Sequence, residues 1–173
     1  MDFKVKFEDN DLIIKQLKQE EFNDLYNVAK DPNIWKQHPE NDRWKKEKFA
    51  IFFKNGIDNE FGIYKIINKS NKEIIGSSRF YNLDSKDKAI RIGFTFITTK
   101  YWGTTTNFKI KKLMIDYALK FLDKIYFDIG ENNIRSRKAV EKLGTTFFSD
   151  DNKGMVVYKL NKIDFIKINY QNF

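Results

Sequence analysis

Apolar positions recur along this chain with two periods, and the places where one gives way to the other outline its elements. Phe3, Val5 and Phe7 alternate with lysines, Asp9-Asn10-Asp11 is a turn cluster, and 12–17 is apolar again, so strands over 3–7 and 12–17 form an opening hairpin. Phe22, Leu25, Tyr26 and Ala29 then fall at i, i+3, i+4, i+7, one face of a helix that Pro32 ends. Asn41 or Asp42 is placed to cap a second helix, whose Phe49, Phe52 and Phe53 share a face and which Gly56 closes. Apolar runs over 60–68, 72–82 and 88–98, separated by turn clusters at 68–71 and 84–87, predict an antiparallel meander. In the third run Ile90, Ile92, Phe94 and Phe96 take one face and Arg91, Gly93 and Thr95 the other.

A Thr-rich loop (98–106) leads into a helix over 107–122 with Leu113, Met114, Tyr117, Ala118 and Phe121 as its stripe. Residues 124–130 are a short strand. Asn132 or Asn133 caps a helix to Leu143, where Gly144 suits a left-handed terminus. Strands 145–148 and 154–160 flank the turn 149–154, and 161–173 is a polar and aromatic tail. The order ββ-αα-βββ-α-β-α-ββ predicts one α/β domain over 1–173, on a mainly antiparallel sheet with a βαβ crossover.

Composition removes whole classes of function. With no cysteine among 173 residues, a disulfide framework, a thiolate zinc site and a thiol nucleophile are excluded, and a single histidine excludes multi-His metal centres. The 32 basic and 24 acidic side chains give +8, which permits an anionic cofactor, nucleic acid or an acidic partner without selecting one. Lysines are scattered through every element and no reading motif appears, which disfavours nucleic acid. No apolar run approaches the ~18 residues of a membrane span, and Met-Asp-Phe-Lys is no signal start, so a cytoplasmic protein without a membrane partner is expected.

The chemistry concentrates where strand 88–98 feeds the loop and the next helix. The first N–H groups of a helix lack internal partners and favour an anion. Lys109, Lys111 and Lys112 in its first turns oppose the helix dipole unless an anion docks; the plain alternative is a solvated lysine face.

This region resembles the GNAT superfamily of acyl-CoA N-acyltransferases, in the branch that holds ribosomal-protein N-terminal acetyltransferases. Ile92-Gly93-Phe94-Thr95-Phe96 is similar to that branch's IGYTxL strand, and Tyr101-Trp102-Gly103-Thr104-Thr105-Thr106-Asn107 to its YWGxGxN loop. Asn133-Ile134-Arg135-Ser136-Arg137-Lys138-Ala139-Val140-Glu141-Lys142-Leu143-Gly144 is similar to NxRSxxAxEKLG, and Ile75–Tyr81 to IGSxRxY. The resemblance implies a GNAT fold with four main helices and two splayed strands, 88–98 and 124–130, holding acetyl-CoA between them. It implies pantetheine pairing around Phe96, Ile97 and Thr98, and pyrophosphate on the loop of Trp102, Gly103, Thr104, Thr105, Thr106 and Asn107. It further implies Asn133 on the pantetheine arm, Ser136 as proton donor to the leaving thiolate, and Arg135 and Lys138 near the adenosine phosphates. Asn133 as a helix cap and Ser136 as a surface hydroxyl are the plain alternatives. The family's phosphate-loop glycine falls on Thr105, where a positive φ costs a β-branched residue ~1–2 kcal/mol.

No carboxylate follows the family pattern on strand 88–98. His38, the only side chain with an ordinary pKa near 6.5, is the candidate base, with Asp128 and Glu131 as others; a loop histidine without a catalytic part is the alternative. Trp35, His38, Ser78, Arg79, Tyr81 and Arg91 are the candidate acceptor-binding residues. Arg79 and Arg91 favour an acceptor that carries a carboxylate, such as an amino acid or peptide. The function expected is N-acetyl transfer to a primary amine (an amino acid, a peptide N-terminus or a small amine). The alternative is a degenerate GNAT domain that binds without turnover. A homodimer through strand edges at 154–170 is also expected.

Overall fold

The computed structural model describes residues 2–151 and 153–170. Met1, Asn152 and 171–173, which the expected start, the turn 149–154 and the tail include, lie outside the described residues. One eight-stranded sheet carries the chain. Its strands are β1 (Phe7–Glu8), β2 (Leu12–Gln16), β3 (Tyr64–Asn68), β4 (Ile74–Asp84), β5 (Ala89–Ile97), β6 (Lys124–Gly130), β7 (Thr146–Asp150) and β8 (Met155–Asn161). Its spatial order is β1-β2-β3-β4-β5-β6-β8-β7, with every pair antiparallel except β5–β6. Helices α1 (Phe22–Ala29) and α2 (Lys46–Ile57) pack on one face. Helices α3 (Thr106–Ala118), α4 (Ile134–Glu141) and α5 (Lys162–Tyr170) cover the other. The parallel pair requires a crossover, and α3 supplies it. Among the described residues no helix is long and apolar enough to cross a membrane.

Each face buries its own cluster. Phe49, Phe52, Phe53, Leu25 and Trp35 fill the α1/α2 side. Ile90, Ile92, Ile110, Met114, Ile115, Ile125, Phe127 and Phe165 fill the other. Phe3 precedes β1 rather than lying in it, yet it is buried against Phe61 and Phe80, with centroids 5.3 and 4.8 Å apart. The apolar alternation of 3–7 thus reports burial without strand pairing.

Several expectations shift. Helix α2 starts at Lys46, after Asn41 and Asp42, and its cap residue Lys45 makes no side-chain bond. Gly56 lies inside α2 rather than beyond its end; a Cβ there would stand 2.9 Å from Ile63 Cδ1. The buried stripe of α3 is Ile110, Lys111, Met114, Ile115 and Ala118, while Phe121 lies past the helix and is exposed. The tail up to Tyr170 is helix α5, a fifth helix beyond the four expected, anchored by buried Phe165 and by Tyr170 donating to Asp116 at 2.8 Å. β8 is paired on both sides, so the free edge at this end is β7, not 154–160.

Candidate active site

The central feature is a ladder that stops early. β5 and β6 pair only at Ala89–Lys124, Ile90–Ile125 and Arg91–Tyr126, and then diverge. β6 stays bonded to β8 along its whole length, so its direction is fixed from the far side. β5 is bent by a bulge against β4: Ser77 pairs with Phe96 and Arg79 with Gly93, so that Ser78 alone faces Phe94 and Thr95. Phe94 takes up the extra residue with φ +52°. The bulge reverses the alternation expected for this strand. Ile90 and Ile92 face the α3 side, whereas Phe96 packs among Trp35, Phe49 and Phe52 on the other, with centroids 5.0, 6.3 and 6.0 Å away. β4 hugs the bulge so closely that a Cβ at Gly76 would lie 2.0 Å from the Phe96 carbonyl oxygen. Past Arg91, the gap-facing edge of β5 has no strand partner, and backbone polar groups there are available to a guest.

A cleft of about 670 Å³ occupies the divergence. It takes in Phe96, Ile97, Trp102, Gly103, Thr104, Asn107, Asn133, Arg135, Ser136, Lys138, Trp35, His38 and Tyr81 of the expected site. Thr98, Thr105, Thr106, Ser78, Arg79 and Arg91 do not line it. Thr98 gives its N–H to Ile75 O at 2.8 Å, and Thr105 and Thr106 line a separate hollow with Asp11 and Lys69.

The loop into α3 needs its positive φ at Gly103, at +74°, where nothing crowds the Cα. Thr105 has φ −76°, so the strain anticipated at that position is absent. The N–H groups of Gly103, Thr105 and Asn107 have no partner among the described residues, while Thr106 N–H is taken by Thr104 Oγ1 at 3.2 Å. Trp102 is pinned by its indole N–H to Ile97 O at 3.3 Å. Lys109 pairs with Asp11 and Lys112 with Asp116, both lysines half-buried, so carboxylates of this chain already meet those two. Lys111 instead turns into the cleft.

Across the gap, Asn133 caps α4 by accepting from Ser136 N–H at 3.2 Å, which leaves the Ser136 side chain in the cleft. Arg135 lies 3.7 Å over the Trp102 ring and donates from Nη2 to Ile34 O at 3.1 Å. Three segments therefore meet at the cleft mouth: the phosphate-type loop, α4 and the 32–37 turn.

At the other end, His38 Nδ1 accepts from Glu40 N–H at 2.9 Å and Nε2 faces Arg43 Nη1 at 3.3 Å. Burial, then the Arg43 charge, lowers its pKa to about 4. Arg79 is buried against the Phe52 and Phe94 rings and donates to Phe52 O at 3.1 Å. Arg91 donates from Nε to Asp128 Oδ2 at 2.8 Å, and Tyr81 OH donates to the same oxygen at 2.8 Å. Burial, then Asp128, raises the Tyr81 pKa and keeps it protonated. Ser78 is buried, with Oγ 2.7 Å from Thr95 Oγ1. Asp128 lines the cleft and Glu131 does not. Arg43, buried between Trp35 and Phe52 with its Nε unpartnered, also lines the cleft.

The sequence reading missed Glu40 and Arg43, and grouped Lys111 with Lys109 and Lys112 at the helix start rather than in the cleft. Lys111 carried a signal: 111, 114, 115 and 118 form an i, i+3, i+4, i+7 set with a lysine on the apolar face. Arg43 had none, because only the folded 36–45 loop brings it beneath the aromatic rings.

A bulged, splayed pair of strands with a helix N-terminus at its mouth defines the GNAT fold. The family model described as an acetyltransferase (GNAT) domain matches residues 11–146, and the chain belongs to that family. No curated protein matches the sequence. Among solved structures it is similar to a GCN5-related N-acetyltransferase from Brucella melitensis (13% identity, 95% of this chain and 82% of that one, TM-score 0.77). A GNAT-family acetyltransferase from Bacillus anthracis is also similar (15%, 91% and 98%, TM-score 0.73). So is a spermidine N-acetyltransferase from Vibrio cholerae in complex with CoA and spermine (13%, 91% and 99%, TM-score 0.65). The residues present suit an acyl-CoA: free amides and a helix N-terminus for a diphosphate, an unpaired strand edge for amide groups, and an apolar channel between.

Proposed function

We propose that this protein transfers an acetyl group from acetyl-CoA, drawn from the cytoplasmic pool, to a primary amine, and that it is akin to the ribosomal-protein N-terminal acetyltransferases. The observation that carries this is the three-rung β5–β6 ladder opening onto the free amides of the α3 loop. Gly103, Thr105 and Asn107 N–H groups would hold the diphosphate, with Arg135 and Lys138 beside the adenosine phosphates. Thr104 and Thr106 support the loop from within. The β5 backbone at Phe96 and Ile97 would take the pantetheine amides, and Asn133 their far side; Thr98, with its N–H on Ile75 O, takes no part. Bound acetyl-CoA supplies an activated acyl group, so the chain needs no nucleophile of its own. Its task is to hold an amine and that group in register and to accept a proton.

Ser136, a residue that lines the cleft, would give a proton to the departing sulfur. His38 serves poorly as the base, because a second ring N–H would point at the Glu40 N–H or the Arg43 guanidinium, both donors. Asp128 serves better: Tyr81 and Arg91 hold one oxygen and leave the other for an ammonium. His38 and Trp35 then shape the acceptor end. Arg79 and Arg91 are engaged elsewhere, and Arg43, with Nη2 paired to Glu40 Oε2 at 2.5 Å and Nε still without a partner, is the cation left at this end for an acceptor carboxylate, as on an amino acid or a peptide.

Calorimetry with acetyl-CoA and CoA, followed by CoA release over a panel of amines, tests the reading. Saturable binding with turnover on amino acids or peptides above that on polyamines is expected. No heat at millimolar donor overturns it, and binding without turnover on any amine establishes the non-catalytic module instead.

A further inference from the structure

Lys111 has no part in the roles assigned above. Its side chain leaves the buried face of α3, enters the gap where β5 and β6 part, and ends 2.6 Å from Thr95 Oγ1. The residue is 6% exposed, and Nζ lies 5.5 Å from the Phe127 ring centroid. The surrounding elements present hydroxyls and a ring: Ser78 from β4, Thr95 from β5, Phe127 from β6. Nearby charges give it no counterion. Lys112 on its own helix pairs with Asp116, Asp128 on β6 is held by Tyr81 and Arg91, and α4 with its C-terminal cap lines the cleft with Arg135, Lys138 and Lys142, all cations. A buried ammonium with one hydroxyl partner is unfavourable. Burial lowers the Lys111 pKa to about 7, so free amine is abundant at neutral pH. Thr95, its partner, directly follows the bulge residue Phe94, so the stretch of β5 opened toward the donor is also the stretch that holds the amine.

We propose that Lys111 is an acetylation site within its own protein, its ε-amine taking the acetyl group from a donor bound in the cleft. The Nζ lone pair adds to the thioester carbonyl carbon, the C–N bond forms, the C–S bond breaks, and the thiolate leaves as CoA thiol with the proton that Nζ releases. The product is a neutral amide that still reaches Thr95. This rests on the acetyl-CoA reading above.

The test incubates the full chain with acetyl-CoA from pH 6 to 10, maps acetyl-lysine by peptide mass spectrometry, and measures donor binding on the same sample by calorimetry. Lys111 modification is expected to rise through pH 7 and level off above about pH 8, whereas surface lysines, with pKa near 10.4, keep rising about tenfold per unit. Excess CoA should suppress it at Lys111 alone. In the ligand-free protein, the 13C shift of Lys111 Cε should titrate near pH 7. Lys111→Arg should bind donor and lose the modification; Lys111→Met does the same if arginine disturbs folding. Donor binding with Lys111 unmodified, or modified with the pH profile of a surface lysine, overturns the proposal and leaves the function standing. Absence of donor binding overturns both.

Discussion

Thr105 and Gly103 show how one backbone angle decides what a residue change means. Thr105 stands where the sequence resemblance implied a glycine, yet its φ of −76° is one any residue adopts; the left-handed position is Gly103. Restoring glycine with Thr105→Gly therefore relieves nothing and is expected to lower stability by up to ~1 kcal/mol through chain entropy. Gly103→Ala should cost ~1–2 kcal/mol from its φ alone, since no atom crowds the site. Urea unfolding of both variants checks the order. His38 supplies a pH signature. Its pKa of about 4 in the folded protein lies below the ~6.5 of a free imidazole, so between those values the unfolded chain binds more protons. Stability is then full above pH 6.5 and falls as pH drops toward 4, by on the order of 3 kcal/mol. His38→Asn should flatten that slope in denaturation series from pH 4 to 7. A slope that survives the substitution assigns it to the carboxylates.

At the scale of elements, β4 and β5 meet at a point with no slack. Gly76→Ala puts a methyl against the Phe96 carbonyl, backbone on backbone, and should cost ~1–3 kcal/mol while shifting the bulge that opens the cleft. Donor affinity should fall with it, read by calorimetry. Phe165→Ala, which empties the buried anchor of α5, should cost ~3–5 kcal/mol in the same unfolding assay and leave donor binding intact. Which elements were legible follows the same physics. Strand 124–130 came directly from the sequence and the cap was narrowed to Asn132 or Asn133, because short apolar runs between turn residues and an Asn before a helix are local signals; the structure takes Asn133. The register break in β5 did not, because Phe94 looks like its alternating neighbours and the bulge is imposed by β4 and by the Trp35–Phe52 cluster. Helix α5 was hidden in a tail whose exposed Ile163, Ile166 and Ile168 obscure the single inward Phe165. In the site, Trp102, Gly103, Asn133 and Ser136 of the motifs fell into the cleft, whereas Thr105, Thr106 and Arg79 of the same motifs did not. Arg79 and Arg91, chosen for charge alone, turned out to be held by a carbonyl, aromatic rings and Asp128.

At the scale of the whole molecule, three rungs between β5 and β6 are the sheet's only seam between a five-strand leaf, β1 to β5, and a three-strand leaf, β6 to β8. The Arg135–Trp102 stack fastens the same two leaves at their outer margin. A molecule seated in the divergence touches both leaves and acts as a clasp, so its effect should travel to amides it never contacts. Hydrogen exchange at Ile90, Arg91, Ile125 and Tyr126 should slow when donor is present, as should exchange at the far strand pair β6–β8. A spine so narrow makes the protein a book that a ligand seated in the divergence would hold shut.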